Sequence, residues 1–109
     1  MKPWEVWHWE FPHGSHPTVI ASPEARCANP DIETVNVLGC STQRARRAPD
    51  VHEVLLGQED GLDWETLCRC DVLFLAKKSE LKRQRGALSH ARRRQLGQKI
   101  IRRFGLRRG

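Results

Sequence analysis

Apolar and polar residues alternate or cluster in short runs along most of this chain, a pattern typical of β-strands. The clearest run, at residues 67–76, is rich in apolar and β-favouring side chains and is bounded by polar segments. Aromatic and β-branched content predicts four earlier strands, at 4–11, 18–22, 33–39 and 52–56, and 64–66 is a further short candidate. The pattern therefore predicts a mainly β protein.

A helical pattern is confined to the C-terminal part of the chain. Ser89 is a suitable N-cap, and Leu96, Ile100 and Phe104 repeat at helical spacing, with Gly105 as a stop. This apolar stripe is expected to face the core or a subunit interface. Four connecting segments are predicted: a loop at 12–17, a polar connection at 24–31, an acidic turn-rich loop at 57–63, and a basic segment at 77–85 with one helical turn.

These elements predict one domain over residues 1–109, because the length suits a single modest core. The fold class is mainly β (α+β), a small, strongly curved sheet or barrel with one helix packed on it.

The distribution of charge along the chain says more about possible partners than the net charge of +6 does. From residue 77 onward there are 13 Lys and Arg residues and one acid, whereas residues 1–76 carry twice as many acids as bases. Such a basic back third favours a polyanionic partner, either nucleic acid or a strongly acidic protein, over a merely solvated face.

The cysteine spacing and the hydropathy pattern argue against several classes of protein, namely zinc-ribbon, thioredoxin-like, secreted and membrane-spanning proteins. No Cys-x-x-Cys pair occurs among Cys27, Cys40, Cys68 and Cys70, so no zinc ribbon or thioredoxin motif is indicated, and no metal or cofactor is expected. No apolar run is long enough to cross a membrane, and no signal-peptide pattern is visible. A cytoplasmic protein without a membrane partner is expected.

The strand at 67–76 carries the main candidate for chemistry. Arg69 and Asp71 are two residues apart, so their side chains should share one face, while Cys68, Cys70 and Val72 should point to the other. Strand geometry alone leaves two interpretations open: a structural salt bridge or water-facing edge, or a proton donor and acceptor held on a rigid element.

Four segments, taken together and in order, resemble the MazF/PemK/Kid toxins of bacterial type II toxin–antitoxin systems. They are Glu-Val-Trp at 5–7, Pro-Thr-Val-Ile-Ala-Ser-Pro at 17–23, Cys-Ser-Thr-Gln at 40–43, and Leu-Cys-Arg-Cys-Asp at 67–71 followed by Gly-Ala-Leu-Ser at 86–89. The resemblance implies an SH3-like β-barrel with a C-terminal helix, a homodimer, and an acidic antitoxin as protein partner. It also implies metal-independent cleavage of single-stranded RNA to a 2′,3′-cyclic phosphate and a 5′-hydroxyl.

Carried over by position, the resemblance assigns roles to individual residues. Asp71 would take the proton of the ribose 2′-hydroxyl, and Arg69 would stabilise the phosphorane charge or protonate the leaving oxygen. His16, in preference to His13, would add to that stabilisation. The scissile phosphate would accept hydrogen bonds from Ser41 and Thr42. The RNA contacts are expected from Thr42, Gln43, Arg44, Arg46, Arg47 and His13.

One position departs from the family pattern, since His16 stands where many members have Arg. Three hypotheses follow: a toxin endoribonuclease, a non-catalytic barrel that binds RNA or inhibits a protein target as CcdB toxins do, and a basic barrel that stabilises an assembly.

Overall fold

Six strands and two α-helices make up the part of the chain that the computed structural model describes, residues 1–11, 14–42 and 47–104. The strands are β1 (Glu5–Phe11), β2 (Gly14–Ile20), β3 (Thr34–Thr42), β4 (Glu53–Leu56), β5 (Thr66–Lys77) and β6 (Leu81–Ala87). The helices are α1 (Glu24–Ala28) and α2 (His90–Phe104), and short 3₁₀ turns occupy Gln58–Asp60 and Lys78–Glu80.

All six strands join one antiparallel sheet in the order β4-β5-β3-β2-β1-β6. The sheet buries two apolar clusters, and helix α2 packs through the fully buried Leu96 onto the one that includes Val6, Val19, Leu38 and Leu56. The predicted class, a mainly β fold with a C-terminal helix, is confirmed.

Helix α2 begins as predicted, and its described residues reach Phe104, while the predicted stop at Gly105 lies outside the described residues. The Ser89 hydroxyl accepts a hydrogen bond from the backbone N–H of Arg92 at 3.2 Å, as an N-cap should. Along the apolar stripe, Leu96 is buried and Ile100 is partly buried, but Phe104 remains 42% exposed. Only the first part of the stripe therefore belongs to the core. No helix in the described part of the chain is both long and apolar enough to cross a membrane.

Three predicted connections are wrong. Residues 14–17 extend β2 in a hairpin with β1 instead of forming a loop. Residues 24–28 form helix α1 directly after Pro23, and residues 81–87 form the edge strand β6, although the helical turn predicted within 77–85 is present as a 3₁₀ turn at Lys78–Glu80. The basic composition of β6 hid it, because lysine and arginine are poor strand formers that suit a sheet edge. The candidate strand at 64–66 is absent, since Thr66 begins β5.

Strand β5 is irregular where the candidate chemistry lies. Leu38 of β3 is opposite Leu73, whereas Cys40 is opposite Cys68, so residues 69–72 have Gly39 alone across from them. Such an irregularity breaks the alternation of side chains between the two faces. Cys68 and Cys70 are buried as predicted, but Val72 is 38% exposed, and its predicted orientation away from Arg69 is wrong.

Candidate active site

Arg69 and Asp71 form a bidentate ion pair on the irregular segment of β5. The guanidinium donates from Nε to Oδ1 at 3.1 Å and from Nη2 to Oδ2 at 2.8 Å. The Arg69 side chain is 54% exposed, whereas that of Asp71 is 12% exposed. Parallel hydrogen bonds of this kind fix both planes, so the guanidinium is held at the protein surface with the carboxylate as its support.

This ion pair sets the protonation of both groups. The hydrogen bond from Arg69 lowers the pKa of Asp71, against the opposing effect of burial. In turn, the hydrogen bond to Asp71 raises the pKa of Arg69. In this state Asp71 is a fully ionised but weak base, and Arg69 is a poor proton donor.

Arg69 opens into a cleft of about 330 Å³ that also includes His16 and Ser41. Asp71 does not line this cleft and reaches it through Arg69. We name it the reaction cleft. Its lining is completed by Trp9, Thr18, Gly39, Cys40, Val72 and Phe74.

The register of the sheet brings these side chains together from three strands. Thr18 of β2 is opposite Gly39 of β3, so in the same register His16 falls level with Ser41. Ser41 is in turn opposite Leu67 of β5, two residues before Arg69. His16 and Ser41 are both exposed, so a ligand in the cleft has access to the imidazole and the hydroxyl.

An aromatic wall of the reaction cleft was not foreseen from the sequence. The rings of Trp9 and Phe74 lie 5.9 Å apart at an interplanar angle of 60°. A Cβ added at Gly39 would meet the Phe74 ring at 3.1 Å, so a glycine there lets the ring lie close to β3. Aromatic residues beside a cationic group are typical of sites that bind unpaired bases. The alternating aromatics of β1 were visible in the sequence, but their contact with Phe74 was not.

A second cleft, of about 490 Å³, shares His16 and Ser41 with the first. We name it the flanking cleft. His8, Ser15 and Pro17 from the β1–β2 hairpin line it, together with Arg85 of β6 and Leu62, Asp63, Trp64 and Thr66 from the segment that leads into β5. The two clefts therefore meet at the imidazole and the hydroxyl.

The other predicted contact residues are only partly described. His13, Gln43, Arg44 and Arg46 lie outside the described residues, as does the side chain of Thr42, whose backbone pairs with Thr66. Arg47 is described, and it donates two hydrogen bonds to Glu53 at 2.6 and 2.7 Å. Arg47 lines neither cleft, so the structure does not bring it to the other predicted site residues.

The cysteines contribute to packing. Cys27, Cys40, Cys68 and Cys70 are all buried and free. Hydrogen bonding to a neighbouring thiol, together with burial, raises the pKa of Cys68 and of Cys70. These groups are therefore neutral thiols at neutral pH. Within residues 1–11, 14–42 and 47–104, no cluster of three or more His, Cys, Asp or Glu residues is arranged to hold a metal ion.

The whole chain has close structural counterparts despite low sequence identity. No protein-family model and no curated protein sequence matches it. A mycobacterial endoribonuclease in complex with its cognate antitoxin superposes with a TM-score of 0.83 at 20% identity, over 100% of this chain and 99% of that one.

Two further solved structures give the same result. The Mycobacterium tuberculosis toxin MazF-mt6 has a TM-score of 0.80 at 21% identity, over 95% of this chain and 99% of its own. The MazE-MazF structure from Deinococcus radiodurans has a TM-score of 0.77 at 16% identity, over 98% and 97%. At such identities the likeness concerns architecture, and it shows that this chain has the fold of the MazF toxins.

Proposed function

We propose that this protein is the toxin of a type II toxin–antitoxin pair and cleaves single-stranded RNA without a metal ion. The observation that carries the proposal is the convergence of Arg69, His16 and Ser41 on one open cleft, with Asp71 bound to Arg69. The shared fold supports it, since neighbours of this fold are an endoribonuclease and MazF toxins.

RNA brings its own nucleophile to such a site. The ribose 2′-hydroxyl attacks the adjacent phosphorus, and the bond from phosphorus to the 5′ oxygen breaks. The products are a 2′,3′-cyclic phosphate and a 5′-hydroxyl. The protein then has only to move two protons and stabilise the charge of the phosphorane in a fixed geometry.

Asp71 is the residue proposed to take the 2′-hydroxyl proton. Its lowered pKa makes it a weak base while Arg69 remains bound to it. A phosphate in the reaction cleft competes for the same guanidinium, because arginine binds phosphate and carboxylate through the same pair of donors. Transfer of Arg69 to the phosphate would remove the cause of the lowered pKa and leave Asp71 more basic when substrate is bound.

The remaining groups act on the phosphate. The charge of Arg69, which persists at all ordinary pH values, stabilises the phosphorane. The Ser41 hydroxyl donates a hydrogen bond to a phosphate oxygen. His16 lines the same cleft, and we assign it to protonation of the leaving 5′ oxygen, since imidazole is a common general acid.

The partners follow from the charge of the surface. We expect further RNA contacts next to the cleft from Thr42, Gln43, Arg44, Arg46, Arg47 and His13. Among these, Arg47 already forms an ion pair with Glu53. The basic back third suits an acidic antitoxin. Two exposed apolar side chains of β5 that line neither cleft, Leu73 and Leu75, offer a surface for a homodimer contact. The cytoplasm is the proposed location.

Product analysis tests this function. Purified protein is incubated with single-stranded RNA in EDTA, and the new ends are identified by their response to polynucleotide kinase and to phosphatase. We expect cleavage that EDTA does not inhibit, with a 5′-hydroxyl and a cyclic phosphate. A 5′-phosphate product, or cleavage that EDTA abolishes, would contradict the proposed chemistry.

A second function is favoured by one observation, the closed ion pair itself. If substrate does not open the bidentate Arg69–Asp71 contact, Asp71 remains too weak a base to take the 2′-hydroxyl proton. The clefts would then bind RNA without cleaving it. The same incubation decides between them, because a non-catalytic protein would retain intact RNA in a filter-binding assay.

A further inference from the structure

Trp64 is the most exposed large hydrophobic side chain in the described part of the chain, at 72%. It lines the flanking cleft together with the cationic Arg85 and the polar His8. An indole left in water forgoes the stabilisation that its burial would give. The position is therefore better explained by a ligand than by the fold.

The segment that carries Trp64 is held firmly in place. Arg85 donates from Nη2 to the Asp63 carboxylate at 2.6 Å and from Nε to the Gly61 carbonyl at 3.3 Å. On the other side, the Thr66 hydroxyl donates to the Trp64 carbonyl at 3.0 Å. These contacts fix the backbone on both sides of Trp64, so the indole is presented from an ordered segment.

Close backbone packing adds to this order. Gly61 has a φ of +89°, and a Cβ there would lie 2.1 Å from the carbonyl oxygen of Arg85. Gly86 is also close to the segment, since a Cβ there would lie 2.7 Å from the Asp60 carbonyl oxygen. The segment before Trp64 therefore rests directly on strand β6.

The polar wall of the flanking cleft suits a nucleotide. Nδ1 of His8 lies 2.9 Å from the Ser15 hydroxyl, and Nε2 lies 3.5 Å from Arg85. Burial, and then the charges of Arg85 and Arg83, lower the pKa of His8, so its ring is neutral at neutral pH. A neutral imidazole and a hydroxyl can donate to and accept from the edge of a base, while Arg85 attracts phosphate.

We propose that the flanking cleft binds the nucleotide next to the scissile phosphate, with its base stacked on Trp64. This inference rests on the proposed ribonuclease function. Because His16 and Ser41 belong to both clefts, a strand whose phosphate lies at these residues has its neighbouring base within reach of the flanking cleft. Stacking on an aromatic side chain is the usual way in which proteins hold unpaired bases.

A single-stranded RNA fits this surface better than a protein segment does. A peptide anchor would require an apolar pocket, whereas polar or charged residues, among them His8, Asp63 and Arg85, make up most of the lining of the flanking cleft. Its volume of about 490 Å³ lies within the range of sites for small ligands. The occupant is therefore expected to be one nucleotide of the bound strand.

Binding to a non-cleavable probe tests the inference. The probe is a short, fluorescently labelled, 2′-O-methylated single-stranded RNA of mixed sequence, and its Kd is measured by anisotropy. Trp64→Ala should raise the Kd by about 5- to 150-fold, the range that loss of one stacked base gives, whereas Trp64→Phe should change it by roughly threefold or less. Ile101→Ala, which removes an exposed apolar side chain outside both clefts, should leave it unchanged.

Two further readouts separate stacking from a general structural defect. Cleavage of unmodified RNA by Trp64→Ala should show a raised KM with a largely retained kcat, because the indole does not touch the reacting atoms. Adding the probe to the wild-type protein should quench tryptophan emission, and Trp64→Phe should lose most of that quenching. The quenching comparison decides the question if Trp64→Ala does not fold.

The outcomes distinguish this inference from the proposed function. If the wild-type protein cleaves RNA and Trp64→Ala matches it in Kd and KM, the flanking-nucleotide site is wrong and the ribonuclease proposal stands. If the wild-type protein neither binds nor cleaves RNA, both are wrong. If Trp64→Ala loses binding only to an acidic protein partner, the cleft is a protein-docking site and the inference is overturned.

Discussion

Glu53 is buried and holds the half-exposed Arg47 through two hydrogen bonds, from Nη1 to Oε1 at 2.6 Å and from Nη2 to Oε2 at 2.7 Å. The same carboxylate accepts the backbone N–H of Asp50 at 3.0 Å. Hydrogen bonding from Arg47, more than any other cause, lowers the pKa of Glu53 from 4.5 to about 2. This contact fixes the residues before β4, and Glu53 itself is opposite Arg69 in the β4–β5 ladder.

Glu53→Gln should lower the free energy of unfolding at neutral pH by about 1–2 kcal/mol, because it weakens three hydrogen bonds to a buried acceptor. A carboxylate with a lowered pKa stabilises the folded state fully above its unfolded pKa, near 4.5, and loses this effect as the pH falls toward 2. The difference between wild type and variant should therefore shrink in acid, as urea unfolding at several pH values can measure. Glu33→Gln, at an exposed position, is the matched control, and a difference that does not depend on pH would contradict this account.

Gly61→Ala should destabilise the protein by about 1–3 kcal/mol, because the new Cβ would overlap the Arg85 carbonyl and the residue has a positive φ. Thermal unfolding measures the effect. Gly57→Ala serves as the control, since a Cβ at that position meets nothing within 4 Å and its φ is −157°. Equal effects from the two substitutions would show that Gly61 is not in close contact with β6.

Arg69→Ala should raise the pKa of Asp71, because the hydrogen bond that lowers it most is removed while burial remains. Titration of the carboxyl carbon by NMR measures the pKa directly and does not depend on activity. In the cleavage assay the acid limb of any residual activity should move to higher pH. Arg83→Ala, at an exposed position on β6, should change neither quantity. An unchanged Asp71 titration in Arg69→Ala would contradict the assigned cause.

The local sequence correctly predicted those features that a single strand or helix determines. The spacing of Arg69 and Asp71 predicted that their side chains would share a face, and they form an ion pair. Ser89 and Leu96 predicted the start and the buried face of α2. The order of weak motifs predicted the fold, which solved MazF structures share.

The features that could not be predicted from the sequence depend on contacts between residues far apart in the chain. Residues 69–72 give no sign that they oppose a single residue of β3, so the exposure of Val72 could not be inferred. The flanking cleft depends on the approach of Gly61 to Arg85, two residues far apart in the chain. Strand β6 forms by pairing with β1, which its basic composition does not indicate, and for that reason composition alone misassigned it.

The rate of RNA cleavage by Asp71→Asn tests the central claim most directly, when it is measured under single-turnover conditions beside the wild-type protein and with RNA affinity measured separately. Asparagine keeps the shape of the side chain but cannot take the 2′-hydroxyl proton. If Asp71 is the general base, the rate should fall by about 10²- to 10⁴-fold while the Kd for the 2′-O-methylated probe changes little. Cleavage by Asp71→Asn at the wild-type rate would contradict the account.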